Sequence, residues 1–323
     1  MKLLLRSAAL VFGVSLATVS HHAAATCGAS YCMVNTNWNL QGLAPEPGFR
    51  ADIRYEYIRQ DQPMSGGSKI GFGQIPRHHD ELKSTSRNWV AGLDYIFNAD
   101  WGVSVTAPVV DRDHTHIHNH RGAQLPETWR FTEMADARVI GRRQWMAEQK
   151  DSGTLSYYGL NFGFKLPTGS RDIKNAAGDR AERTLQPGTG TTDVILGAYY
   201  NRVMPLSDSS WFVQGQWQSA LYSREDYKPG DRLTLDAGYR YELSDAFGVM
   251  LQFNALKRWR DSGSQAEPSD TGGMFLFISP GVSYAVTKAA QLYCYLQKPI
   301  HQHVNGVQLT ANWSAVVGVS AKF

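Results

Sequence analysis

The sequence predicts an all-β chain, a twelve-stranded antiparallel up-and-down transmembrane β-barrel over residues 48–323. Three observations predict it. Polar and apolar residues alternate with a period of two through segment after segment, which gives a strand one oily and one polar face. Most segments reach the roughly 9–11 residues of a tilted membrane strand, whereas strands of water-soluble proteins cluster near 5–6. The gaps between them alternate long and short, as in a barrel with long loops at one end and tight turns at the other. Hydropathy misses this pattern. Its mean is −0.35, and no window reaches the roughly 18 uninterrupted apolar residues of a membrane helix.

In chain order, residues 1–25 have the form of a secretory signal peptide. Lys2 and Arg6 supply the basic start, Ala8 to Val19 the apolar stretch, and Ala23-Ala24-Ala25 a small-residue cleavage site. Export is therefore expected, with Thr26 beginning the mature chain. The net charge of +3 falls to +1 without Lys2 and Arg6, and the signs are interspersed, which excludes the basic footprint of most nucleic-acid binders. Residues 26–47, with Pro45 and Pro47, are irregular. They either line the lumen as a small plug or hang in the periplasm, available to a periplasmic partner. In an oxidising compartment Cys27 and Cys32 suit a disulfide, the alternative being a metal or redox pair. Cys294 sits in an alternating apolar run with no partner.

Twelve strands are expected near 49–60, 85–97, 102–110, 132–147, 154–166, 191–203, 211–222, 232–243, 248–260, 273–286, 290–300 and 309–323. The pattern is plain in Leu233, Leu235, Ala237, Tyr239, Tyr241 and Leu243, which alternate with Thr234, Asp236, Arg240 and Glu242. It recurs in the last strand, where Leu309, Ala311, Trp313, Ala315, Val317, Val319, Ala321 and Phe323 form the oily face. Segments 61–84, 111–131, 167–190, 223–231, 261–272 and 301–308 are the long connections, and the intervening gaps are all shorter. Aromatics gather at strand ends: Phe97, Trp101, Trp145, Trp211, Tyr241, Tyr284 and Phe323 toward the short turns, Trp129, Tyr222 and Trp259 toward the long loops. Interfacial belts sit at those two levels. Phe323 is also the residue expected to end a strand read by the outer-membrane assembly machinery, so outer-membrane lipid and that machinery are expected partners.

The polar faces put Arg50, Asp52, Arg54, Glu56, Arg138, Arg142, Asp236, Arg240 and Glu242 in the lumen. Such mixed charge either stiffens the wall as an ion-pair network or lines a narrow polar pore, and the two are compatible. Eight of the ten histidines fall in three expected loops, the first, second and sixth. Closing strand twelve on strand one would make those loops neighbours. His78, His79, Asp113, His114, His116, His118, His120, His301 and His303 are thus a candidate metal set, suited to Zn, Cu or Ni. The alternative is that they are ordinary polar loop residues. The chain has no G-x-S-x-G elbow and no H-E-x-x-H pair, and an enzyme is not expected.

Around the third long loop the chain reads Lys165-Leu166-Pro167-Thr168-Gly169, then Leu185-Gln186-Pro187-Gly188-Thr189-Gly190-Thr191-Thr192-Asp193. A strand ending in LPTG, a polar excursion and a PGTGxxD re-entry resembles the outer-membrane protein family of the phenol-degradation meta pathway. The resemblance is carried by residues 155–203 and by the closing Asn305-Gly306-Val307-Gln308. It implies an outer-membrane transporter barrel for small, often aromatic, compounds. The expected function is thus a channel or transporter for a small solute, aromatic or amphiphilic. The alternative is a barrel that takes up a transition metal through the histidine-rich loops.

Overall fold

The computed structural model describes residues 26–27, 32–42, 46–75, 80–120, 123–149 and 153–323, without the side chains of 26, 27, 118–120 and 123. The signal peptide expected over 1–25 lies outside them, as do His78 and His79. Thirteen long strands make twelve staves of one closed antiparallel sheet. They are β1 (Gly48–Ser65), β2 (Asp80–Ile96), β3 (Trp101–His120), β4 (Ala123–Met134), β5 (Arg138–Gln149), β6 (Thr154–Lys165) and β7 (Asp193–Met204). There follow β8 (Ser209–Ala220), β9 (Arg232–Glu242), β10 (Phe247–Arg258), β11 (Gly273–Ala285), β12 (Ala290–Val304) and β13 (Val307–Lys322). β4 and β5 form a single stave, pairing with the far and near halves of β3. The barrel closes where β13 pairs with β1, from Val307 opposite Ser65 to Lys322 opposite Arg50. No α-helix occurs among the described residues.

Alternation decides which way each side chain points. Phe49, Ile53, Leu235, Tyr239, Val317 and Val319 are exposed on the outside, while Arg50, Asp52, Asp236 and Arg240 are buried within. Such an inverted arrangement, oily outside and polar inside, is stable only if the outer face meets hydrocarbon. Phe97, Trp101, Trp145, Tyr241, Tyr284 and Phe323 stand exposed toward the short-turn end. Cys294 lies between Val282 and Val317 in register and shares their outer face.

Several expected loops are strands. Residues 111–120 and 123–131 continue β3 and β4 as a projecting hairpin, and β12 runs on through His303. Beyond the membrane both faces of a strand can be polar, so hydropathic alternation fades while the backbone ladder continues. The last strand also departs from strict alternation. Register shifts at Thr310–Trp313 turn Leu309 inward, where it is fully buried, while Trp313 remains outside. A bulge adds a residue to one strand and reverses the faces on either side. Leu309 packs with Trp129, Ala181 and Leu185. Trp129 is accordingly a core residue at 2% exposure and not part of an interfacial belt.

Residues 32–42 run through the inside of the barrel. The Met33 N–H donates to Gln297 Oε1 (3.1 Å), and the Asn35 N–H to Gln252 Oε1 (2.9 Å). Asn201 donates to Asn39 O (2.9 Å) and Ser210 Oγ to Gln41 O (3.1 Å). Trp38 is buried edge-on to Tyr293 at 5.0 Å, with the Arg240 guanidinium over its ring at 5.4 Å. The sequence suits this course because its amides act locally as well. Asn35 and Asn37 side chains accept the N–H groups of Asn37 and Asn39, folding the segment into turns that need no sheet partner.

Cys32 is free among the described residues, and the side chain of Cys27, its expected disulfide partner, lies outside them. Thr26–Cys27 pairs in parallel with Gln308–Leu309, whereas Cys32 Sγ lies 3.6 Å from Ser314 Oγ.

Candidate functional site

The loop after β6 folds back over the barrel mouth, and the LPTG and PGTG segments form its base. Asp136, in the break between β4 and β5, accepts the backbone N–H of Gly169 (3.0 Å) and of Thr189 (3.0 Å). Lys165 joins Asp136 (2.8 Å) to Asp193 (3.2 Å), and Gln218 donates to the other Asp193 oxygen at 2.6 Å. All three charged groups are nearly buried, so each needs the others to offset desolvation. The two glycines meet back to back: a Cβ on Gly188 would lie 2.5 Å from Gly169 O. The motif therefore works as a clasp that brings both ends of the loop to one point.

Above the inner segment and below this loop lies a chamber of about 240 Å³. Cys32, Arg54 and Glu56 bound it on one side, Arg183, Gln186 and Tyr227 on the other. Its wall carries seven cations (Arg54, Arg112, Arg138, Lys165, Arg183, Arg232 and Arg258) against three carboxylates (Glu56, Asp136 and Asp193). Val90, Pro108, Val110 and Pro229 add apolar surface. Arg112 donates to Ser86 Oγ and Leu185 O, and Arg138 to Gln218 Oε1. Glu225 and the buried Asp261, just outside the lining, pair Arg183 and Arg258, and the smaller excess of positive charge that is left favours a small solute with an anionic end and an apolar body.

A second contact ties the loop down from outside. Glu225, in the loop between β8 and β9, accepts Arg171 (2.6 Å), Arg180 (3.1 Å) and Arg183 (2.6 Å). The hydrogen bonds from Arg183 and Arg180 pull its carboxyl down from 4.5 to about 2. A carboxyl held lower in the folded state contributes stability above its ordinary value, and that contribution is lost as pH falls through the folded value. The clamp should thus hold at about pH 4 and release near pH 2. Pepsin cleavage within 166–192 of the folded barrel should accelerate only near the lower pH, and already at about pH 4 in Glu225→Gln. Equal profiles for the two proteins would contradict it.

Of the other expected lumen residues, Arg50, Asp52, Glu56, Arg142, Asp236 and Arg240 are buried inside the wall. Arg54 bridges Asp52 (3.6 Å) and Glu56 (2.9 Å), and Arg240 pairs with Glu242 at 2.5 Å. The histidine set divides. His114 and His116 are buried on the inner face of the β3–β4 hairpin. Asp113 points the other way and pairs with Arg130 at 3.2 Å. His301 and His303 stand exposed on β12, apart from that pocket. Sequence spacing missed Glu81, whose carboxylate lies 3.1 Å from His114 Nε2, and Glu127, which lies 3.0 Å from His116 Nε2. Strand register was the signal, since Glu81 and Glu127 are the cross-strand partners of His116 on either side.

The fold is that of bacterial outer-membrane β-barrels. The chain belongs to the TonB dependent receptor-like, beta-barrel family, whose model matches residues 37–294. Among solved structures it is similar to an outer membrane channel from Pseudomonas putida F1, at 12% identity and a TM-score of 0.64 over 90% of this chain and 100% of that one. A Pseudomonas aeruginosa FadL homologue aligns at 9% identity over 92% and 98% with a TM-score of 0.40. The transport unit of the autotransporter AIDA-I from Escherichia coli aligns at 11% over 90% and 93% with a TM-score of 0.45. These last two similarities are too loose to carry an argument. No curated protein matches the chain.

Proposed function

We propose that this protein is a non-enzymatic outer-membrane channel for a small amphiphilic solute with an anionic group. The observation that carries the reading is the chamber, lined beside apolar surface by seven cations and three carboxylates, with two of the cations paired from outside by Glu225 and Asp261. The likeness of fold to a Pseudomonas putida outer membrane channel supports it. So does the resemblance of the LPTG and PGTG segments to the phenol-degradation family, whose cargo is often aromatic. In this reading the long loops face the exterior and the short turns the periplasm.

Calorimetry on the folded barrel tests the chamber with two probes of similar size, benzoate and benzyl alcohol. Benzoate should bind about tenfold more tightly, the worth of one charge-assisted hydrogen bond at ~1.4 kcal/mol. Arg138→Glu should remove that preference. Equal affinities for the two probes, or a preference that survives the substitution, would sink the proposed solute class.

A further inference from the structure

The inner face of the β2–β3–β4 extension gathers nitrogen and oxygen donors in one buried place. His114 Nε2 lies 3.1 Å from Glu81 Oε2, His116 Nδ1 lies 3.9 Å from Glu81 Oε1, and the two ring nitrogens are 3.5 Å apart. Exposure is 0% for His114, 2% for His116 and 3% for Glu81. Among the described residues, no other group of three or more His, Cys, Asp or Glu side chains brings its donor atoms so close. Ligands held about 2.0–2.1 Å from a tetrahedral ion stand about 3.3–3.4 Å from one another. The Glu81–His114 and His114–His116 separations bracket that edge length.

The surrounding groups point the same way. His116 Nε2 lies 3.0 Å from Glu127 Oε2, so its proton belongs on Nε2 and the Nδ1 lone pair faces Glu81. A carboxylate behind a histidine is the usual means of fixing the tautomer of a metal ligand. From the loop above, both carboxylate oxygens of Glu182 are buried without a hydrogen-bond partner. Glu267 and Glu81 both lie within electrostatic reach of it. Several acids crowded together out of water call for a cation.

We propose that Glu81, His114 and His116 bind a divalent transition metal, with zinc the best match to two imidazoles and a carboxylate. A fourth position falls to water or to a loop carboxylate. Because the three ligands are buried, the ion is resident: it braces β2 against β3 beneath the loop that covers the mouth. That role differs from capture at the surface, for which exposed histidines would be needed. A proton shared between imidazole and carboxylate is the competing occupant.

Zinc titration of the chelator-stripped, folded full-length barrel decides between them. One ion per barrel should bind with micromolar or tighter affinity. His116→Gln and Glu81→Gln should each weaken it about 100-fold or more, and Glu127→Gln about tenfold. A variant with His118, His120, His301 and His303 changed to Gln should keep wild-type affinity. Cobalt in place of zinc should give the intense visible absorption of a tetrahedral site in the wild type and in this fourfold variant, and not in His116→Gln or Glu81→Gln. Absence of stoichiometric binding to the wild-type barrel overturns the proposal whatever the variants do. So does loss of binding in the fourfold histidine variant, or retention in a His116→Gln barrel whose heat-modifiable gel mobility shows it folded.

Discussion

Val317→Arg should prevent the barrel from assembling in lipid. Val317 is 52% exposed on the outer face of β13, between Cys294 and Tyr55 in register, and close to the middle of the stave. An Arg there must hold its charge in hydrocarbon, at a cost of about 2–4 kcal/mol near the midplane. Total stabilities of folded proteins lie in the range of about 5–15 kcal/mol, so the loss is a large fraction of what holds the barrel together. The position is also part of the closing seam, where β13 meets β1, so a seam that cannot enter lipid leaves two open edges. Refolding into liposomes, followed by the heat-modifiable shift on gels, should show little folded protein. Ala289→Arg, exposed in the short turn between β11 and β12, should fold within about 0.5 kcal/mol of wild type. Normal assembly of the Val317 variant would mean that this face does not meet lipid.

The contrast between those two positions indicates what could be read from the chain and what could not. The strands that cross the membrane are legible because hydrocarbon outside and a packed polar lumen inside make opposite demands, and residues 232–243 record both. Where the wall rises above the membrane, water lies outside and the demand disappears. Thr115 and Thr128, whose hydroxyls lie 3.2 Å apart across β3 and β4, could as well have belonged to a loop. The histidine alternation was legible as a pattern, and His114 and His116, the two members whose side chains the structure describes, face a buried pocket. Their partner Glu81 is set by strand register, which no local periodicity encodes. The bulge at Thr310–Trp313 is likewise invisible in a sequence that continues to alternate through it. Residues 32–42 gave no periodic signal because their polar groups are satisfied one at a time by side chains from β7, β8, β10 and β12.

That inner segment supports the second large effect. Deleting residues 32–41 should raise single-channel conductance on the order of tenfold, since a twelve-stave wall is intermediate between barrels filled by their own side chains and wide porins. The segment occupies the lumen with Trp38 and Leu40, both nearly inaccessible, and with backbone groups bonded to Asn201 on β7 and to Gln297 on β12, five staves away. A void of about 200 Å³ already lies beside it, between Asn35, Asn37 and Asn39 and the wall at Asp94 and Arg142. Removal joins that void to the chamber above. The wall should survive, because Gln214, Gln252, Gln297 and Asn201 exchange their bonds to the segment for bonds to water, a nearly even trade. Four buried apolar side chains go with the segment (Met33, Val34, Trp38 and Leu40), at about 1.5–3 kcal/mol each, which lowers the unfolding temperature while the closed backbone ladder of the wall holds the fold. Planar-bilayer recordings on the deletion variant and the wild type would test this directly. A conductance that stays at the wild-type level in a properly folded variant would place the barrier instead at the loop clasped by Asp136 and Lys165. Releasing that clasp with Lys165→Met should then be what opens the path.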